Sequence, residues 1–356
     1  MGWNPRNVRY QRVNQMKIKL RETLYLVWMG GIFLLFLYLL YQNSIDWFQH
    51  LAILPTMLLG SFVAGSTPMG GGSVAYPILV HYLEFGSSDA RTFSLLIQSV
   101  GMTSASLFII LYKKEELPWR FISRVAVAGL AGFLFNIWVL YDRITGALLK
   151  VIYIPFFLSF LIILLYIQFG YGRKPNFISP DDSRKSIIPA LIAGFCGGIL
   201  TGFIGSGIDF MVFTVLALYF GFPIKKGTYI SIILMTFLSL CNSLLLLGDT
   251  TAISDRVWAS WLLAANLVLF GAPLGNLVVR QVPDTWVTAF ITLLFSGHVL
   301  GVFHSMPLTT TTYAIMLGCF LGSFYFFIRI YHTYTPSHPE QKPSPRTTTV
   351  RVTQNS

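Results

Sequence analysis

The chain has 356 residues, 54% of them hydrophobic and 11% charged, with a mean hydropathy of +0.65. That composition excludes an ordinary soluble domain and implies an integral membrane protein. The formal net charge of +11 points to no nucleic-acid partner, because the basic residues lie in loops and tails, as positive-inside topology requires, rather than on one face.

In chain order, residues 1–23 carry Arg6, Arg9, Arg12, Lys17, Lys19 and Arg21 and read as a basic cytoplasmic segment. The apolar run 24–41 is longer than a signal-peptide core, and "YQNSIDW" after it offers no small-residue cleavage site, so it reads as a retained first crossing. The next stretch, "LLGSFVAGSTPMGGGSVAYPILVHYLEFG", breaks itself at residues 66–77, where glycines and prolines cannot continue a lipid-facing helix. Runs at 88–112, 119–140 and 147–170 follow, each long enough for a hydrocarbon core of about 30 Å. A second Gly-rich stretch starts at 192, followed by runs at 225–247, 257–281, 285–303 and 308–331. Residues 332–356 are polar and Pro-rich with no apolar period, and are expected to form a disordered cytoplasmic tail. Cys196, Cys241 and Cys319 all lie within apolar segments and form no CxxC pair, so no disulfide framework is predicted.

The two broken stretches are related. At a constant offset of 137, Gly60 falls on Gly197, Gly65 on Gly202, Gly70 on Gly207, Tyr82 on Tyr219, Phe85 on Phe222, Ser94 on Ser231 and Ser106 on Ser243. Glycines aligned at intervals of five indicate an internal duplication, with repeat 1 at about 51–170 and repeat 2 at about 187–303. If each broken stretch enters and returns on one side, or makes two short crossings, the basic loops 112–120, 170–185 and 223–227 become cytoplasmic and the acidic loop 248–255 faces out. The first repeat then starts from outside and the second from inside. The predicted fold is an all-α integral membrane protein in a transmembrane domain spanning 24–331. It comprises two inverted-topology repeats, each a Gly-broken helical hairpin plus three transmembrane helices, with an additional helix at each end and both termini cytoplasmic.

Non-helical backbone survives at membrane depth only when buried in protein or lining a polar cavity, so the two breaks are expected to meet inside the bundle. Bare amides at a helix start suit an anion. The predicted substrate-binding residues are Ser66, Thr67, Gly70, Gly71, Gly72 and Ser73 at the first break, Gly205, Ser206 and Gly207 at the second, and Gln98 and Asn242 on the helices that follow. Close helix packing by small residues is the competing reading of the same glycines. Asp209 is the one acid well inside an apolar segment and is the candidate coupling group, an N-cap being its alternative role. Arg91, Lys225 and Lys226 lie at the starts of crossings and read as interfacial anchors. No spacing suits a metal, and no cofactor is expected.

"GSTPMGGGSVAYPILV", its degenerate second copy, and Phe85, Gly86, Ala90 and Ser94 with Phe222, Pro223, Gly227 and Ser231 resemble the sulfite exporter TauE/SafE family, also called the sulfonate uptake permease family. The resemblance covers roughly residues 50–330. It implies a transporter of the bacterial inner membrane for sulfite, sulfonates or other small organosulfur anions. The chain departs from that pattern at "GSGIDF", where Asp209 stands at the position matching Gly72.

An anion channel could be built on the same symmetric hairpins, whereas a pair of rocking repeats suits alternating access by a secondary transporter. Enzymatic function is not expected. "GSGID" differs by one inserted residue from the GxGD of intramembrane aspartyl proteases, which turns Asp209 by about 100° around a helix. No HExxH, GxSxG or Walker motif is present. The expected partners are the lipid bilayer and a small anionic substrate, with a homo-oligomer as a further possibility.

Overall fold

A computed structural model describes residues 5–43, 50–71, 75, 78–80, 82–113, 116–141, 143, 146–168, 187–248, 250–305 and 309–334. Every regular element among them is helical. The helices are α1 (Pro5–Gln42), α2 (Ile53–Ser66), α3 (Ser87–Leu107), α4 (Trp119–Phe135), α5 (Gly146–Gln168), α6 (Ile188–Ile204), α7 (Ile208–Leu218), α8 (Ile224–Gly248), α9 (Asp255–Gln281), α10 (Asp284–Ser305) and α11 (Thr310–Tyr334). Short π-helical turns continue α3 over Phe108–Lys113 and α4 over Asn136–Leu140.

Six helices among the described residues are long and apolar enough to cross a membrane, and they match six of the eight expected crossings. The other two expected crossings fall on α5 and α10, of 23 and 22 residues, whose side chains lie partly outside the described set. Two boundaries move. The helix holding the first crossing begins at Pro5, so the basic segment is helical over most of its length. Proline suits a first helical position, and nothing breaks the helix between Pro5 and the apolar run. The last helix runs to Tyr334, three residues into the expected tail, and residues 335–356 lie outside the described set.

Burial places α3 at the centre. Of its most apolar window 78% is buried, against 11% for α1 and for α11, which therefore present their apolar surfaces to lipid at the rim. Around α3 the neighbours are exchanged between the two halves of the chain: α2 packs on α9, and α6 packs on α4. Both pairs are glycine contacts. A Cβ on Gly198 would collide with the Gly129 carbonyl, one on Gly132 with the Phe195 carbonyl, one on Gly275 with the Phe62 carbonyl, and one on Gly65 with Ala272. In lipid, where no hydrophobic drive pulls helices together, such backbone-to-backbone approach supplies the dispersion contacts that hold them.

Helices α3 and α8 cross at the core and are joined by hydroxyls. Ser106 and Thr236 are hydrogen-bonded at 2.7 Å, and Ser243 donates to the Leu95 carbonyl at 3.5 Å, so the contacts run in opposite chain order along the two helices. Helix α9 is fixed to α3 by the Trp261 indole on the Leu96 carbonyl at 3.0 Å and by Ser104 on the Leu269 carbonyl at 2.7 Å. These bonds define the frame against which the broken segments fold.

Candidate functional site

At the second break, α6 ends in Gly205, whose φ of 78° is left-handed and whose amide closes on the Thr201 carbonyl at 2.9 Å. A glycine is needed there for that conformation. The chain then reverses within Ser206 and Gly207 and α7 starts at Ile208. Two glycines let α7 lie directly along α6: a Cβ on Gly197 would stand 2.6 Å from the Ile208 Cα, and one on Gly207 would stand 2.6 Å from the Leu200 Cβ. Thr201 ties the turn, its hydroxyl accepting from the Ile208 amide at 3.0 Å and donating to the Gly197 carbonyl at 2.8 Å.

Asp209, in the first turn of α7, is 1% exposed. Its Oδ1 accepts from the amides of Gly207 at 2.9 Å and Phe210 at 3.0 Å, and its Oδ2 accepts from the Ser206 hydroxyl at 3.1 Å. The Gly70 amide of the first break also donates to this carboxylate. Thus the two breaks do meet, and the anion held between them here is the protein's own side chain. The helix start favours that negative charge, and four donors replace the water it has lost.

The first break completes the cluster. Gly70 is walled so closely that an added Cβ would lie 2.5 Å from Asp209 Oδ2, 2.6 Å from Gln98 Oε1 and 2.7 Å from the Ser206 hydroxyl. Gln98 is 2% exposed and bridges α3 to the second break: its Nε2 donates to the Gly205 carbonyl at 2.7 Å and to the Ser94 carbonyl at 2.9 Å. Because both of those partners only accept, the amide orientation is fixed. Its Oε1 therefore faces Gly70, with no hydrogen-bond partner among the described residues.

Among the expected site residues, Gly70, Gln98, Gly205, Ser206, Gly207 and Asp209 come together. Gly71 sits just behind, where an added Cβ would lie 3.2 Å from the Gly60 carbonyl oxygen and 3.3 Å from the Ala64 Cβ, beside a cavity of about 20 Å³ between α2, α3 and α9. That is room for about one water molecule. Ser66 and Thr67 are buried, but both hydroxyls bond to the Val63 carbonyl at the end of α2, at 3.2 and 3.0 Å, so they cap that helix. Asn242 is buried on α8 and is not among the groups in contact with Gly70 or bonded to Asp209. Gly72 and Ser73 lie outside the described residues. No group of three metal-ligating side chains occurs among the described residues.

The family model described as "Sulfite exporter TauE/SafE" matches residues 53–302, which contain both breaks and all of this cluster. The chain belongs to the TauE/SafE family. The protein is thus a multi-pass membrane transporter of that family, which is not a family of enzymes. This TauE/SafE protein is also similar to a probable membrane transporter protein of Methanocaldococcus jannaschii, with 23% identity over 201 residues covering 52% of this chain and 69% of the relative. No solved structure matches it.

Two features of this TauE/SafE protein lie beyond what its sequence had suggested. Arg91, half-buried, lays its guanidinium over the Tyr141 ring, 4.4 Å from the centroid. Asn136 is fully buried against Gly202, and neither of its amide atoms has a hydrogen-bond partner among the described residues. Both contacts join segments far apart in the chain, so spacing alone gives no signal for them.

Proposed function

We propose that this protein is a secondary transporter that carries a small sulfur oxyanion or organosulfonate across the inner membrane of a bacterium by alternating access, with Asp209 coupling transport to a proton. The observation that carries the reading is the Asp209 carboxylate resting on amides from both breaks. Those amides are the groups an oxyanion would use, so substrate and unprotonated Asp209 compete for them. A proton on Asp209 withdraws its charge and frees the donors; a sulfite or sulfonate oxygen then takes its place, with Ser206 as a further donor. Proton and anion therefore travel together.

The inverted arrangement of the repeats is supported by the exchanged packing of α2 on α9 and α6 on α4, and by the opposite chain order of the α3–α8 contacts. A two-fold axis in the membrane plane relates partners in that way. Enclosure of Asp209, Gln98 and Ser206, each at most 3% exposed, favours a carrier over an open channel.

The test is uptake of methanesulfonate and of sulfite into proteoliposomes under an imposed pH gradient. Methanesulfonate keeps one charge throughout, so any pH effect belongs to the protein. Accumulation that follows the proton gradient and saturates is the expected result; flux that never saturates, or that ignores the gradient, would return the protein to the channel reading. Topology is tested separately. With Cys196, Cys241 and Cys319 replaced by serine, a cysteine at Glu116 should react only with reagent admitted to the cytoplasmic side, and reaction from outside would end the inverted count.

A further inference from the structure

The cluster at Gln98 continues toward the N-terminal end of α3. Arg91, Ser94 and Gln98 stand at i, i+3 and i+7 on one helical face. All three meet the second break: a Cβ on Gly205 would lie 3.2 Å from the Arg91 carbonyl and 2.9 Å from the Ser94 Cβ, and Gln98 donates to the Gly205 carbonyl. The seven residues from Arg91 to Gln98 rise about 10 Å along the helix. A polar stripe therefore leads from near the end of α3 to the central cluster, bordered by the last turn of α6.

Arg91 is half-buried, with its guanidinium over Tyr141. Its Nε is buried with no hydrogen-bond partner among the described residues, and among those residues Tyr141 is the hydrogen-bonding side chain that faces it. Tyr141 in turn stacks on Phe203 of α6, with centroids 6.4 Å apart. A half-buried guanidinium with no acidic partner among the described residues lacks the two-pronged acceptor its geometry suits. A small oxyanion presents that pair of oxygens.

Resting on the transport reading above, we propose that Arg91, backed by Tyr141, receives the small oxyanion at the N-terminal end of α3 and passes it along Ser94 to the Gln98–Asp209 cluster. Arg91 binds in transit and takes no part in proton coupling.

The proposal is tested with the full chain in proteoliposomes. Arg91→Gln should raise the KM for methanesulfonate on the order of tenfold or more, with the maximal rate within about twofold of wild type, the pattern of lost binding on the way in. Arg91→Lys, which keeps the charge but not the fork, should fall between, and its intact pH dependence should show a folded carrier. A second readout needs no knowledge of the substrate. In a chain whose three native cysteines are replaced, Ser94→Cys should react faster with an anionic methanethiosulfonate than with its cationic counterpart, and adding Arg91→Gln should remove that preference. An unchanged KM together with an unchanged reagent preference overturns the proposal, as does a Ser94→Cys protein inert to both reagents. If wild type carries neither methanesulfonate nor sulfite, the sulfur-oxyanion reading fails, while the reagent preference still decides the role of Arg91.

Discussion

Asp209→Asn is expected to bind methanesulfonate with an affinity that no longer depends on pH, and to lose accumulation driven by a proton gradient. In wild type the carboxylate occupies the amides of Gly207, Phe210 and Gly70, and on the proposed mechanism the anion binds only the protonated form. The sign follows. As pH falls the protonated fraction grows and affinity rises; above the range where the carboxyl titrates, one proton taken up per anion makes affinity fall about tenfold per pH unit. Asparagine resembles the neutral acid, so its affinity should be flat and near the wild-type value at low pH. The substitution leaves one carbonyl where two oxygens accepted and turns an amide donor toward the Gly70 amide or the Ser206 hydroxyl. A stability loss on the order of 1–3 kcal/mol should accompany it. Binding titrations at several pH values, with thermal melts beside them, measure both. A variant retaining the wild-type slope would show that the proton is carried elsewhere.

Gly70→Ala is expected to abolish transport and to destabilise the protein by about 1–3 kcal/mol or more, since the three atoms nearest its methyl all belong to the cluster. Those atoms are Asp209 Oδ2, Gln98 Oε1 and the Ser206 hydroxyl, all within 2.7 Å of the added carbon. The only described glycines with left-handed φ are Gly205 and Gly221, so Gly70 is required for space and not for its backbone angle. Gly60→Ala is the matched control. Its methyl would find ordinary contacts at 3.7 Å to the Gly71 carbonyl and 3.8 Å to Met57. In mid-helix, alanine should leave stability unchanged or raise it by up to about 1 kcal/mol. Melting temperatures and methanesulfonate uptake for the pair separate a crowded site from a general intolerance of bulk. Equal effects from the two variants would make the first break a packing device only.

Local features carried much of this protein in its sequence. Six of the eight expected crossings coincide with helices long and apolar enough to span, because a run of some 20 apolar residues in lipid has few alternatives to a helix. The two breaks were readable for the same reason: no helix continues through "STPMGGG", and Gly205 with Gly207 announced the second turn. Where the first helix begins was less visible, since basic residues extend a helix as readily as they form a loop.

The sequence by itself determined the membrane class, most of the helices and the two places where they break, all consequences of hydrophobic run length and of glycine. It could also single out Asp209 as a costly buried acid. Only the tertiary structure decided what that acid does with the bare amides. The Gly70 amide and the Asp209 carboxylate are separated by 139 positions, and nothing local to either dictates their bond. The same holds for Gln98 on Gly205, for Arg91 on Tyr141, and for the hydroxyls of Ser66 and Thr67, which close the end of α2. A side chain's chemistry is written in the sequence, but its partner depends on which helices the glycine contacts draw together and at what height.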